Sequence, residues 1–177
     1  MTNVTGPTVR FSVDETITRL RDSLATIEWA SSMIPVRWTH DAPPTAAPGA
    51  WSVAMNLAHL VTYEEQLALP VLRAMAHGSD GEGTVRSGLE HWFHADAVAL
   101  SSDPVDLLVS RLRAAREEQI RTIEPLTADA FNTPRTRLFT DPGADLRHSI
   151  AWVATKTFQH TWEHGNAILR VALFAPR

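Results

Sequence analysis

Residues 150–171 read IAWVATKTFQHTWEHGNAILRV and form the most strongly patterned segment of this 177-residue chain. Apolar or small residues recur in it at the spacing of one face of an α-helix. These residues are Ile150, Val153, Thr157, Phe158, Ile168 and Val171. The segment therefore predicts a long amphipathic helix that buries one face. The whole helix is expected to start near Asp145 and to end at about Leu173.

Three further segments show the same periodicity, and strand-like alternation is almost absent from the chain. They are expected to form helices over about residues 12–34, 51–76 and 103–125. Ser52 is a candidate N-cap, and Pro70 should kink or interrupt the second helix because it has no backbone N–H to donate. Four amphipathic helices with little strand signal indicate an all-α four-helix bundle. The long link between the second and third helices leaves the order of helix directions open.

The connecting segments predict how several helices begin. Asp103-Pro104 is a capping carboxylate followed by a proline, which suits the start of the third long helix. A short helix is expected over residues 87–99, after a flexible glycine-rich loop at residues 78–83. His148 is expected in the first turn of the fourth long helix. It would then lie about 18 Å along the axis from His160, too far to share a site with it.

The composition is that of a soluble globular protein with one domain over residues 1–177. Of these residues 44% are hydrophobic and 20% are charged, and the chain is long enough to bury a core. Residues 1–10 are expected to form a flexible N-terminal tail. The net charge is −4, and the 16 Lys and Arg residues are scattered without a basic run. We therefore expect no nucleic-acid partner.

The sequence has no membrane-spanning stretch and no cysteine, and these two absences limit the expected location and the possible chemistry of the protein. No apolar stretch is long enough to cross a bilayer, and residues 1–7, MTNVTGP, lack the features of a signal peptide. We therefore expect a cytoplasmic protein with no membrane partner. The chain also has no cysteine, which excludes disulfides, thiolate metal ligands and a sulfur nucleophile from the protein. Any thiol chemistry must use a thiol that the substrate brings.

His160 and His164 are the most informative pair of residues in the chain. They lie four positions apart on the predicted fourth helix, so both rings can reach one point. That point falls on the apolar face, where an imidazole is costly to bury unless its nitrogens have partners. A divalent metal ion would satisfy one nitrogen of each ring. The spacing therefore makes the pair candidate metal ligands; the alternative is that they are core histidines whose nitrogens meet carbonyl groups.

His59 is the candidate third ligand. It lies about two turns into the second helix on an apolar face, and three protein ligands with an open position are typical of catalytic zinc sites. The three rings can meet if the second and fourth long helices are antiparallel or offset neighbours. His91 and His94 are interpreted instead as a solvated or pocket-lining face, because no third ligand is evident beside them.

Glu163 and Tyr63 are the candidate catalytic residues. Residues 160–164, HTWEH, match the H-x-x-E-H pattern of inverted zinc peptidases, in which the glutamate activates a metal-bound water. Those enzymes need a further glutamate ligand well downstream, and no residue after His164 is acidic. A peptidase is therefore disfavoured, and Glu163 is a candidate acid, base or hydrogen-bonding partner. Tyr63, one turn after His59, is either a hydroxyl donor near the metal or a boundary aromatic residue.

Taken together, these motifs resemble the DinB/YfiT family of metal-binding four-helix bundles, which is related to the N-terminal domains of mycothiol-dependent maleylpyruvate isomerases. The resemblance spans about residues 10–172 in order and spacing. The residues on which it rests are Trp51-Ser52-Val53, Asn56-Leu57-Ala58-His59-Leu60 and His160-x-x-x-His164 with Gly165-Asn166. It implies an up-down-down-up bundle, often a homodimer, with zinc or nickel held by His59, His160 and His164.

The activity implied by this resemblance is thiol transfer to an electrophile. Some relatives are S-transferases or isomerases that use a low-molecular-weight thiol such as mycothiol or bacillithiol. Metal coordination deprotonates a thiol, and a cysteine-free chain suits a thiolate from a cosubstrate. The same three-histidine site could instead hold a water for hydrolysis, or the bundle could be a non-catalytic metal-binding or stress-response module. We expect a small-molecule substrate and leave these functions open.

Overall fold

The computed structural model describes residues 10–42, 50–78, 89–134 and 148–174, and none of them forms a β-strand. The α-helices are α1 (Val13–Ser32), α2 (Val53–Tyr63), α3 (Leu69–Ala76), α4 (Leu89–Leu100), α5 (Val105–Ile123), α6 (Ala128–Asn132) and α7 (Ile150–Phe174). A 3₁₀ turn forms at Val36–Trp38, and a π-helical turn at Glu64–Ala68 joins α2 to α3. None of these helices is both long and apolar enough to cross a membrane.

Helices α1 and α7 run side by side in the same direction. The guanidinium of Arg19 lies over the ring of Phe158 near the start of both helices. Further along both, the Cδ1 atom of Ile27 lies against the backbone of Gly165. Residue numbers therefore rise together along the contact, which makes the pair parallel.

Helices α2 and α3 form one long rod that is parallel to α5. Glu65 forms an ion pair with Arg111 at 2.6 Å, and Arg73 forms one with Glu118 at 2.8 Å. Residue numbers increase in the same direction along both helices from one ion pair to the next, so the helices are parallel.

Helices α1 and α5, by contrast, are antiparallel. Glu28 near the end of α1 binds Arg113, whereas the carbonyl of Leu20 accepts a hydrogen bond from Arg116. With α1 up, the α2–α3 rod and α5 run down and α7 runs up. The structure thus confirms the predicted all-α four-helix bundle with up-down-down-up order.

The core consists of two apolar clusters, one toward each end of the bundle. The first includes Ile27, Leu57, Leu60, Leu112 and Ile168, and the second includes Leu20, Leu72, Ile123, Ile150 and Phe158. The interior of the bundle also contains a set of buried polar side chains that contact one another, which we call the polar layer. Its members are Ser23, Glu64, Arg116, Gln119 and Thr161. The bundle is therefore held by apolar packing and by one buried polar network.

The helix starts agree with the sequence at Ser52 and differ at two other places. The hydroxyl of Ser52 accepts a hydrogen bond from the amide of Met55, as expected of an N-cap. The N-cap of α5 is Pro104, with no side-chain hydrogen bond, so the prediction of an Asp103 cap was wrong. The carboxylate of Asp103 instead lies 3.8 Å from the guanidinium of Arg111, which draws it away from the helix end.

The start of α7 was placed too early. The helix begins at Ile150, so His148 precedes it rather than occupying its first turn. The ring of His148 lies against that of Trp152, with centroids 4.1 Å apart. The predicted start near Asp145 falls outside the described residues. The short helix predicted over residues 87–99 is described as α4, from Leu89 to Leu100.

Pro70 does not interrupt the second long helix. The amide of Leu69 donates to the carbonyl of Glu64, five residues back, which is the hydrogen bond of a π turn. The extra residue in this turn lets the helix absorb the missing donor of Pro70 and continue into α3. The extra residue also rotates the side chains that follow it by about 100° around the helix axis, the angle between successive residues of a helix. Glu64, the first residue of the π turn, is completely buried.

Candidate metal centre

The three predicted ligands converge at one point between α2 and α7. His160 and His164 lie one turn apart on α7, and His59 faces them from α2. The Nε2 atom of His160 lies 3.1 Å from Nε2 of His59 and 3.1 Å from Nε2 of His164. One nitrogen from each ring lies within 4.8 Å of the other two. The structure therefore brings together the residues that the sequence singled out.

The antiparallel packing of α2 on α7 is what makes this convergence possible. Asn56, early in α2, contacts His164, while Tyr63, two turns later, contacts His160, which is one turn earlier on α7. His59 lies between these two contacts and so faces the gap between the two α7 rings. The condition stated from the sequence, that these helices be antiparallel neighbours, is met.

Asn56 determines the tautomer of His164. Its Nδ2 donates to the carbonyl of Ser52 at 2.8 Å, which leaves Oδ1 as an acceptor toward the histidine. Nδ1 of His164 lies 2.8 Å from that oxygen and must donate the hydrogen. The Nε2 lone pair of His164 therefore points toward the other two rings. Sequence reasoning gave Asn56 no such role, although a buried amide three residues before His59 was a signal for it.

Burial keeps the three imidazoles neutral at pH 7. Burial, with a smaller contribution from the neighbouring His164 and His59, lowers the pKa of His160 to about 3. Burial and the nearby His59 lower the pKa of His164 to about 4. The pKa of His59 is also lowered, chiefly by burial. Neutral imidazole is the form that binds a metal ion, so little proton release opposes binding.

Aromatic rings pack against the cluster on two sides. The indole of Trp51 stacks on His164 with centroids 5.7 Å apart and meets His59 edge-on at 5.1 Å. The ring of Tyr63 lies 4.4 Å from that of His160. Nδ1 of His59 and Nδ1 of His160 are buried without a hydrogen-bond partner among the described residues. No hydrogen bond at Nδ1 therefore orients these two rings, which are held by aromatic packing and by the contacts of their Nε2 atoms.

The donor set fits a divalent transition metal. Nitrogens that share a tetrahedral zinc at about 2.0–2.1 Å lie roughly 3.4 Å apart, close to the two observed separations of 3.1 Å. Imidazole nitrogens suit zinc and nickel better than the hard cations magnesium and calcium. Three ligands from the protein would leave a coordination position for a substrate.

A cleft of ≈ 340 Å³ lies beside His160 and contains both predicted catalytic residues. We call it the His160 cleft; its lining residues are Tyr63, Leu67, Val71, Trp152, Lys156, Gln159, His160 and Glu163. Burial raises the pKa of Tyr63 to about 12, so its hydroxyl keeps its proton at neutral pH. Glu163 is exposed at the cleft, one turn from His160. Both side chains can thus meet a molecule that approaches the histidines.

Comparison with known proteins agrees with this fold. Residues 12–168 match the family described as the DinB superfamily. The chain belongs to the DinB superfamily. None of the curated proteins matches it. A crystal structure of a protein from Streptococcus pneumoniae is similar to it, with a TM-score of 0.70, 12% identity and 90% of each chain covered. At that identity the similarity shows the shared fold alone.

Within this DinB-superfamily chain, the other histidines do not form a comparable cluster among the described side chains. His94 is exposed, and its ring lies 6.0 Å from that of Trp51. The side chain of His91 falls outside the described residues, as does most of the glycine-rich loop at residues 78–83. The three-histidine cluster is therefore the metal-binding candidate that the described part of the chain provides.

Proposed function

We propose that this protein is a metal-dependent enzyme that transfers a low-molecular-weight thiol to an electrophile. The observation that supports it most directly is the convergence of three neutral imidazole nitrogens beside a cleft. His59, His160 and His164 would hold a divalent ion, with zinc or nickel expected. When bound, such an ion supplies Lewis acidity and lowers the pKa of a coordinating thiol.

The residues around the cluster would position the reactants. Asn56 holds His164 in the tautomer that presents Nε2, and Trp51 shields His164 and His59 from one side. The apolar side chains of Leu67, Val71 and Trp152 offer a surface for the body of the electrophile. Pre-positioning of both reactants is a major source of rate in such reactions.

The chemical step needs a base and a proton donor. The thiol sulfur forms a bond to the electrophilic carbon while the bond to the leaving group breaks, and the leaving group takes that electron pair. The thiol proton passes to a base, and Glu163 is the carboxylate that lines the same cleft. Tyr63 retains its proton and can donate a hydrogen bond to the leaving group. The protein itself brings no thiol, because it has no cysteine.

Metal content tests the site itself. Protein purified without chelators and saturated with zinc or nickel should retain about one equivalent after desalting. His160→Ala should lose it, because two imidazoles bind far more weakly than three. His77→Ala is the matched control, since His77 is exposed at the end of α3 and lies outside the cluster. Less than half an equivalent in the native protein, or full retention by His160→Ala, would contradict the site.

A thiol panel tests the reaction. Mycothiol, bacillithiol and simpler thiols are assayed with monochlorobimane, whose conjugate is fluorescent, using the metal-loaded protein and His160→Ala as control. We expect turnover with at least one thiol, and its loss in the variant. Retained metal without turnover on any thiol would refute thiol transfer.

A hydrolase is the second candidate, because Glu163 and His160 line one cleft, as a base and a metal ligand would. A hydrolase would be favoured if hydrolysis of an activated ester required both the metal and Glu163, and if no thiol of the panel reacted with the electrophile.

A further inference from the structure

The His160 cleft contains the only lysine of the chain. Lys156 lies on α7 one turn before His160, and its ammonium sits 5.9 Å from the centre of the Trp152 ring. No carboxylate among the described residues forms an ion pair with it. The described arginines include several that are paired with acidic side chains, as Arg113 is with Glu28. Lys156 thus presents its charge to the cleft.

The walls of the cleft favour an apolar ligand body. Val71 is buried, Leu67 and Trp152 are partly buried, and all three line the space next to Lys156. A volume of ≈ 340 Å³ is at the small end of the range for ligand sites. The occupant is therefore a small molecule with an apolar face and a polar end.

The two charged residues of the cleft orient that ligand. Lys156, His160 and Glu163 follow one another along one face of α7. Lys156 and Glu163 are seven residues apart, or about 10.5 Å along the axis, with His160 between them. A negative group is attracted to the Lys156 end and repelled from the Glu163 end. The opposite, uncharged end of the ligand then lies toward His160.

We infer that the His160 cleft binds a small organic monocarboxylate, with its carboxylate on Lys156, its apolar body on Trp152 and its far end at His160. This inference rests on the proposed function, for which it names the class of electrophile. Lys156 is then a specificity-determining residue. The spacing of one helical turn requires the carboxylate and the reacting atom to lie about 6 Å apart.

Binding of three probes to metal-free protein tests this inference without any reaction. The probes are 3-phenylpropanoate, 3-phenylpropanamide and 3-phenylpropylammonium, which share one apolar body and differ in charge. Their affinities are measured by NMR titration of the indole N–H signal of Trp152. We expect the carboxylate to bind about three- to fivefold more tightly than the amide, as one partly exposed charge pair allows. The ammonium should bind most weakly.

Lys156→Gln should remove the preference for the carboxylate and leave binding of the amide unchanged. Arg170→Gln is the matched control, because Arg170 is an exposed cation on the same helix outside the cleft. The inference is overturned by equal affinities of the native protein for all three probes, by no binding of any probe, or by a preference that survives Lys156→Gln.

Failure of the proposed function has a different signature. Loss of thiol transfer with an intact carboxylate preference would refute the reaction and leave the binding site standing. Thiol transfer to uncharged and carboxylated electrophiles at equal rates, with no probe preference, would refute the inference alone. The probe titrations use metal-free protein, so they are independent of the metal site as well.

Discussion

Asn56 shows how one buried amide can orient a candidate metal ligand. Its carbonyl oxygen accepts the Nδ1 hydrogen of His164, and its amide group is itself held by the carbonyl of Ser52. Hydrogen bonds of this kind orient metal-binding histidines and raise their basicity. The other two rings have no such partner among the described residues. The contribution of Asn56 to the site should therefore be large.

We predict that Asn56→Ala weakens metal binding by about 10- to 100-fold, the usual cost of losing such a partner. Asn56→Asp should bind more tightly than Asn56→Ala, because a carboxylate also accepts the Nδ1 hydrogen. Competition with a chromophoric chelator gives the affinities, and thermal unfolding checks that both variants fold. An affinity of Asn56→Ala equal to that of the native protein would show that packing alone sets the tautomer.

At the scale of the element, α7 serves two purposes at once. One stretch of it presents His160 and His164 to α2, and Gly165 allows close approach to α1. A β-carbon added at Gly165 would lie 3.3 Å from Cδ1 of Ile27 and 3.8 Å from Cγ2 of Thr26. Ile27 is completely buried, so it has little room to move. The glycine next to His164 is therefore explained by helix packing.

We predict that Gly165→Val lowers the free energy of unfolding by about 1–3 kcal/mol, because the larger side chain overpacks the α1–α7 contact. Asn166→Val is the control: its position is exposed, so it reports the helix propensity of valine alone. Urea unfolding of both variants measures the difference. Equal losses in the two variants would mean that α1 can move aside at no cost.

For the whole molecule, the polar layer connects all four long helices. Arg116 of α5 donates to the carbonyl of Leu20 and the hydroxyl of Ser23 on α1, and to the hydroxyl of Thr161 on α7. It also forms a completely buried ion pair with Glu64 in the π turn. Thr161 follows His160 directly, so the network reaches the backbone beside the candidate metal site.

We predict that Arg116→Met lowers the free energy of unfolding by about 3–5 kcal/mol, because it leaves the Glu64 carboxylate buried without its partner. The double variant Glu64→Leu, Arg116→Met should lose less than the single one. Arg113→Met, which removes an exposed ion pair with Glu28, should change stability by less than about 1 kcal/mol. Urea unfolding measures all three. A double variant no more stable than the single one would show that the charge of Glu64 is not the source of the loss.

Much of the fold and the site was predictable because the signals were local. Helical periodicity identified the four long helices, and the N-cap of the second followed from a single residue, Ser52. The resemblance added the up-down-down-up order. The errors also have local causes: Asp103 is drawn to Arg111, and the start of α7 lies after a segment without clear periodicity. The homodimer implied by the resemblance stays a prediction.

The amphipathic pattern and the four-residue spacing of His160 and His164 are determined by the sequence alone, because a helix completes one turn in 3.6 residues and so brings these side chains together locally. Contact of His59 with His160 spans 101 positions of the sequence and depends on antiparallel packing. The same is true of the tautomer of His164, the burial of Glu64 against Arg116 and the cleft beside Lys156. Each needs two or more helices in one relative placement, and that placement results from packing the whole core.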